Sequence, residues 1–265
     1  MPSRHLSHLR GPEVTKALTD TSVLVQPLGA IEQHGPHLPL ITDLAVAEAV
    51  AEAAVPVAVE RGVDAWLLPP LAYTKSNEHA WNPGTIWMSA RTMLSVIEDL
   101  GRCVAATPVR KLVFLNGHGG NSALVAMANR ELRLQFGLET FLAHPSMPAD
   151  QGGGSAPSEL GMGIHGGFEE TSLMLHLRPD LVDMSKAVRE VPEHLAENKM
   201  VRFGGLVQFG WLSNDFGDHG HIGDPTGASA EVGARLFAGA VESFASALVE
   251  ICAFRHRLWR TEKGA

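Results

Sequence analysis

Three short stretches concentrate the side chains able to do chemistry. The first runs from residue 27 to 43, Pro27-Leu-Gly-Ala-Ile-Glu-Gln-His-Gly-Pro-His-Leu-Pro-Leu-Ile-Thr-Asp43. Glu32 and His34 stand two apart, so in extended backbone they point the same way and can converge. His37 is one register off that pair and points elsewhere. Gly35, Pro36 and Pro39 cannot continue a regular element, and they turn the loop back so that Asp43 can join. Two carboxylates and an imidazole are a donor set suited to Zn²⁺ or Mn²⁺. Taken alone, the stretch is equally well read as a polar loop with a capping histidine and solvated acids. The other two stretches move the balance.

The second is Asn116-Gly-His-Gly-Gly-Asn121, with glycines on both sides of His118. Glycines let the backbone turn sharply and approach a bound ion or substrate closely, which makes Gly119 and Gly120 candidate substrate contacts. They also leave N–H groups near a helix start, where a developing oxyanion could be held. A phosphate loop is disfavoured, because the Walker spacing and its Lys are missing. The third stretch opens at His165 and contains Glu169 and Glu170. Adjacent residues on a helix point about 100° apart, so only one of the two acids can face a site. Glu170 is assigned to it, and Glu169 is read as a solvated acid favourable to the helix dipole.

Together these supply Glu32, His34, Asp43, His118 and Glu170. One metal needs about four ligands in all. Five protein groups, three of them carboxylates, suit two ions sharing a carboxylate and a water. Such pairs, about 3.5–4 Å apart, activate the water and polarise a carbonyl, the apparatus for hydrolysing an amide.

Elements of an α/β fold must position these groups. Val23-Leu-Val reads as a buried strand before the first stretch, and Leu44 to Arg61 as a helix after it. Thr42 or Asp43 is placed to cap that helix, and Pro56 should kink or end it. Ala65 begins a second strand. Residues 73 to 88 form a long polar loop with Glu78, His79 and two tryptophans. Ser89 caps a helix running to Ala106. Lys111-Leu-Val-Phe-Leu is the clearest strand, followed by a helix from Ser122 to Gln135 and a strand from Leu138 to Ala143. Such short connections imply a parallel sheet with right-handed crossovers. Gly152 to Gly163 reads as a flexible lid or surface loop, the His165 stretch opens a helix closed by Arg178-Pro179, and Ser229 to Leu258 is an amphipathic helix.

With 265 residues the chain can bury a real core and reads as one domain over 1–265. Its net charge of −8, without a Lys/Arg run, argues against nucleic acid and anionic membranes. The polar N-terminus has no apolar signal core, and no stretch reaches ~18 uninterrupted apolar residues. The expectation is a soluble cytoplasmic protein. Cys103 and Cys252 are read as small buried hydrophobes. His5, His8, His194 and His256 are read as surface residues, whereas for His219 and His221, in the loop before Gly223-Asp-Pro, the sequence does not decide between a pocket and the surface.

At these motifs the sequence resembles the creatininase family of metal-dependent amidohydrolases. The likeness covers most of the chain: residues 27 to 43, Ser76-Asn-Glu-His with Pro83-Gly-Thr, residues 116 to 121, His165 to Leu175, and Gly223-Asp-Pro. It implies a three-layer α/β/α sandwich with a mainly parallel central sheet, assembled as a homo-oligomer, often a hexamer. It also implies two divalent ions, Zn or Mn with Fe also compatible, and a small-molecule amide substrate. Glu32 and His118 would hold one ion, His34 and Glu170 the other, with Asp43 bridging and His165 shuttling a proton. Glu78 falls in a matching loop, lining the pocket or touching a neighbouring subunit.

Two departures set the chain apart from creatinine-cleaving members. Gly120 stands where they carry Glu, and Gly161 stands where they carry Trp. The Gly-His-Gly-Gly-Asn form is more similar to formamide-hydrolysing and mycofactocin-precursor-trimming branches, between which the motif does not choose. A non-catalytic metal-binding sensor is the alternative from another class. A phosphoesterase is disfavoured because no cationic residue adjoins the metal motifs.

Overall fold

The computed structural model describes residues 3–256. Its sheet has four strands, β1 (Val23–Leu28), β2 (Ala65–Leu67), β3 (Lys111–Asn116) and β4 (Glu139–Ala143), ordered β2-β1-β3-β4. Every neighbouring pair is parallel, and β1 pairs with β3 from Val23↔Lys111 to Leu28↔Asn116. The helices are α1 (Gly11–Ala17), α2 (Thr42–Glu60), α3 (Ala90–Ala105), α4 (Ser122–Phe136), α5 (Phe168–Leu177), α6 (Glu193–Ala196) and α7 (Ala230–Ala253).

Alternation along the strands divides the core into two. Val23, Val25, Val113 and Leu115 pack with Val50, Ala54 and Val55 of α2 and Phe244 and Leu248 of α7. Leu24, Leu28, Leu112 and Phe114 face the other way, onto Met93 and Ile97 of α3 and Val125 and Leu132 of α4. Strands buried on both faces are what a parallel sheet between helical layers requires. The three-layer expectation is met. α5 packs outside this frame against α7 and α2.

The strand order reverses between β1 and β3: the chain leaves β1 towards β2, and leaves β3 towards β4. A crevice opens at the C-terminal ends of two strands whose connections diverge. The loop after β1 carries Glu32 and His34, and the loop after β3 carries His118. The fold therefore delivers the first two stretches to one place.

Four local expectations need correction. α2 runs through Pro56 to Glu60, because Ala54, Val55 and Ala58 are fully buried against the sheet and hold the turn despite its missing N–H. Neither Thr42 nor Asp43 caps α2: Ile41 takes that position, while the Thr42 hydroxyl donates to the Pro39 carbonyl (2.8 Å). Cys103 is exposed and Cys252 half-buried, since the inward stripe of α3 is Met93, Ile97, Gly101 and Val104. The last helix ends at Ala253, and Leu258 lies outside the described residues. Among the described residues α7 is the one helix long and apolar enough to cross a membrane; it lies against α2 and α5.

Candidate metal centre

Glu32, His34, Asp43, His118 and Glu170 meet at the crevice, as do the ring of His165 and that of His79. Asp43 is central. Its Oδ1 lies 2.9 Å from His34 Nε2 and its Oδ2 lies 3.1 Å from His118 Nδ1. Glu32 Oε1 is 3.2 Å from the same His118 nitrogen, and Glu170 Oε2 is 4.0 Å from His34 Nε2. Two of the resulting clusters match the two expected ligand groups, Glu32–Asp43–His118 and His34–Asp43–Glu170. A third, Glu32–His34–His165, draws in the histidine expected to move a proton.

Local structure explains why each group points inward. His34 Nδ1 donates to the Glu32 carbonyl (3.1 Å), which leaves Nε2 for the site. His118 Nε2 donates to the Lys75 carbonyl (2.9 Å), which leaves Nδ1 for the site. Gly117 permits this: a Cβ there would sit 2.5 Å from the Asp43 carbonyl oxygen. Asp43 lies in the first turn of α2 and Glu170 in that of α5, where helix dipoles favour carboxylates. Ser76 donates to Glu32 Oε2, and the Gly166 N–H donates to Glu170 Oε2 (2.6 Å).

Two carboxylate oxygens, Glu32 Oε1 and Asp43 Oδ2, are buried without a hydrogen-bond donor, and both face His118 Nδ1. Leaving such groups unmet is costly, so the donor set calls for positive charge at its centre. The electrostatics of the cluster point the same way. Burial works to lower the pKa of His34, yet Asp43, Glu170 and Glu32 push it up to about 10. Against the same opposition from burial, Glu32 and Asp43 hold His118 well above its usual value. Asp43 stays well below the carboxylate range, because His34 and His118 outweigh its burial. Glu170 is pushed up to about 7, first by burial and then by Asp43 and Glu32, with His34 opposing. Oxygen and imidazole donors of this kind fit Zn²⁺ or Mn²⁺.

His165 Nε2 donates to the Gln33 carbonyl (2.7 Å), so Nδ1 is the free nitrogen, 3.6 Å from Glu32 Oε1. Its ring lies between those of His34 (4.3 Å between centroids) and His79 (4.1 Å). Burial, then the neighbouring His79 and His34, keep it well below the usual imidazole pKa. A neutral imidazole with one nitrogen anchored and the other facing the centre can take up and return a proton.

The centre opens onto a cleft of about 590 Å³ lined by Glu78, His79, Gly119, Gly120, Phe209 and Trp211, among others. Glu78 does not stand free in it: Oε1 is 3.3 Å from His118 Nε2 and Oε2 is 2.6 Å from Lys75 Nζ. Burial opposes the effect, but His118 and Lys75 hold its pKa at about 2. Lys75 therefore does adjoin the centre, contrary to the sequence reading, with its charge taken up by Glu78. The other expectations separate cleanly. His37 turns away to Thr171 (2.9 Å), and Glu169 is half-buried against Ser146 (2.7 Å) where full solvation was expected. His221 is buried on the Val188 carbonyl and His219 sits exposed beside Glu190, neither lining the cleft.

Sequence reasoning passed over His79. It is buried, with Nε2 3.5 Å from Glu32 Oε1 and Nδ1 facing Gln33. Its signals were a place beside Glu78 in a long polar loop and at the end of the Ser76-Asn-Glu-His motif, and neither gave it a role.

The family model for creatininase (creatinine amidohydrolase) matches residues 7–248. The chain belongs to the creatininase family. Among relatives of this creatininase-family chain, a mycofactocin precursor peptide peptidase from Mycobacterium ulcerans is 38% identical over 232 residues, covering 85% of this chain and 83% of the relative. A creatinine amidohydrolase from Pseudomonas putida is 34% identical over 187 residues, covering 64% and 70%. Two solved creatininases, one a manganese form and one a mutant of Zn-Zn type, each superpose with a TM-score of 0.70 at 27% identity, covering 94% of this chain and 98% of theirs. Family membership and this geometry make the protein a metal-dependent amide-bond hydrolase.

Proposed function

We propose that this creatininase-family hydrolase uses two divalent ions, Zn²⁺ or Mn²⁺, to cleave a C–N bond in a peptide-like amide. Glu32 and His118 would hold one ion and His34 and Glu170 the other, with Asp43 available to both. The observation that carries the reading is the pair of buried oxygens without donors, Glu32 Oε1 and Asp43 Oδ2, facing one imidazole nitrogen. When bound, the ions supply Lewis acidity and lower the pKa of water.

The chain's own residues do the rest. His165 Nδ1 accepts a proton from the attacking water and passes it to the leaving nitrogen, while Gln33 keeps the ring in one tautomer. Glu78 orients His118 in the space beside Gly120, and Gly119 lets the substrate backbone come close to the centre. The cleft lies within the ~300–1,000 Å³ range of sites for drug-sized ligands. That room and the 38% identical precursor peptidase favour a short peptide over creatinine. The chain acts as one domain in a homo-oligomer. A free, exposed Cys103 suits the reducing cytoplasm.

The test is metal analysis followed by a screen of short peptides, formamides, lactams and cyclic ureides, read by release of amine, ammonia or formate. The metal-loaded protein is expected to release amine from a peptide and to leave creatinine intact. A protein that takes up no divalent ion, or cleaves none of these, overturns the proposal.

A further inference from the structure

Glu159 lies in the Gly152–Gly163 segment, yet it is almost fully buried. Its Oε1 accepts from the N–H groups of Phe168 and Asp224, both at 2.9 Å. Its Oε2 accepts from the Ser155 hydroxyl (2.9 Å) and the Ala156 N–H (3.0 Å). The Ser155 hydroxyl in turn receives the Gly163 N–H (3.1 Å). One carboxylate thus closes its own loop, caps the first residue of α5, and fastens both to the segment at 224.

Those two attachments matter for the centre. Phe168 begins the helix whose third residue is Glu170, and the Gly166 N–H held in the same turn donates to Glu170 Oε2 (2.6 Å). Asp224 follows Ile222, which pairs with His165 in both directions (His165 N–H to the Ile222 carbonyl, 3.2 Å; Ile222 N–H to the His165 carbonyl, 2.7 Å). Glu170 is therefore two residues along α5 from a hydrogen bond to Glu159, and His165 is linked to it through Asp224 and the Ile222 pairing.

The backbone gives way to admit the carboxylate. A Cβ at Gly163 or Gly167 would run into the Glu159 carboxylate, and one at Gly223 would lie 2.8 Å from Oε1. Leu160, next in the chain, adopts φ 55, a left-handed conformation uncommon for leucine, and its carbonyl is tied by Arg202 (2.5 Å). Three side chains omitted and one strained residue around a single buried acid mark a seat made for that group.

We infer that Glu159 is a positioning residue for the metal centre, holding Glu170 and His165 at the distances that ligation and proton transfer require. The inference rests on Glu170 being a ligand. Removing groups that orient metal ligands costs roughly 10–100-fold in affinity.

The test titrates Co²⁺ into metal-stripped full-length protein, reading affinity and the visible absorption band, with folding checked by circular dichroism. Folded Glu159→Ala is expected to bind Co²⁺ on the order of tenfold more weakly and to shift the band. Gly163→Ala should do the same by displacing the carboxylate, because Gly163 itself has no left-handed φ. Added to Glu159→Ala, Gly163→Ala should cost little more, since its collision partner is gone. Wild-type affinity and band in either folded single variant overturns the inference, as does full additivity. Loss of the fold in both overturns it too, by assigning Glu159 to the whole domain. Wild-type protein that binds no Co²⁺ would instead defeat the metal-centre reading itself.

Discussion

Glu78 fills the space that a side chain at position 120 would take. Its Oε1 lies against His118 Nε2 (3.3 Å), and a Cβ built on Gly120 would collide with that same oxygen. Lys75 holds the other end of the carboxylate (2.6 Å). The absence of a side chain at 120 and the presence of Glu78 are one feature: a carboxylate from a different loop backs the imidazole that faces Asp43. Such partners fix ring orientation and raise ligand basicity. Gly120→Ala should displace Glu78 and weaken Mn²⁺ or Zn²⁺ binding roughly tenfold by calorimetry. A Cβ there would also run into His118 Nε2, so Glu78 is tested on its own: Glu78→Ala should weaken binding to a similar extent, and wild-type affinity in that variant would show that Glu78 does not act through this contact.

Asp43 touches both histidines that anchor the centre, at 2.9 and 3.1 Å. Asp43→Asn keeps the shape and removes the charge that either cation needs. Saturating wild type with metal at about 100 times its Kd should stabilise the fold by about 2.7 kcal/mol, seen as a rise in Tm. The variant should show no metal-dependent rise and no turnover. A rise of wild-type size would remove Asp43 from the ligand set.

What could be read from the chain, and what could not, follows from the range of the interactions. Glu32 and His34 were legible because two-residue spacing in extended backbone is a local rule, and His118 because glycines flanked it at a strand end. Helix geometry left room for only one of Glu169 and Glu170 at the site but did not say which. His79 was not, since its role depends on meeting Glu32 and His165, residues 47 and 86 positions away in sequence. Glu159 was hidden for a related reason. Its glycine-rich surroundings announce backbone freedom, and only the folded chain shows that the freedom admits a buried acid. Pro56 does not end α2, because the packing of Ala54, Val55 and Ala58 on the sheet holds the helix across it.

His37 predicts how the protein responds to acid. It is buried beside His221, with Nε2 on Thr171 (2.9 Å) and Nδ1 without a partner. Burial first, then the nearby His221 and His34, lower its pKa from 6.5 to about 4. Between those values the unfolded chain takes up a proton that the folded chain refuses. Its contribution is therefore intact above pH 6.5 and is lost as pH falls towards 4. Urea midpoints should decline over this window, and His37→Gln should make the decline shallower by up to one proton at pH 5. An unchanged slope would show that His37 is already protonated in the folded state.

His79 separates holding metal from doing chemistry. It touches Glu32 at 3.5 Å through Nε2 and packs on the His165 ring at 4.1 Å, yet its nitrogens complete none of the three ligand clusters. It lines the substrate cleft, so a bound amide would lie within its reach. His79→Phe preserves the ring packing and removes both nitrogens. The variant should keep its full complement of metal, measured by elemental analysis, and lose about 10–100-fold in kcat on the peptide found by the screen, with a smaller change in KM. That split is expected if His79 assists proton movement around His165, because the interaction strengthens only as the C–N bond breaks. Loss of metal along with activity would make His79 a ligand support instead, and an unchanged kcat would reduce it to packing.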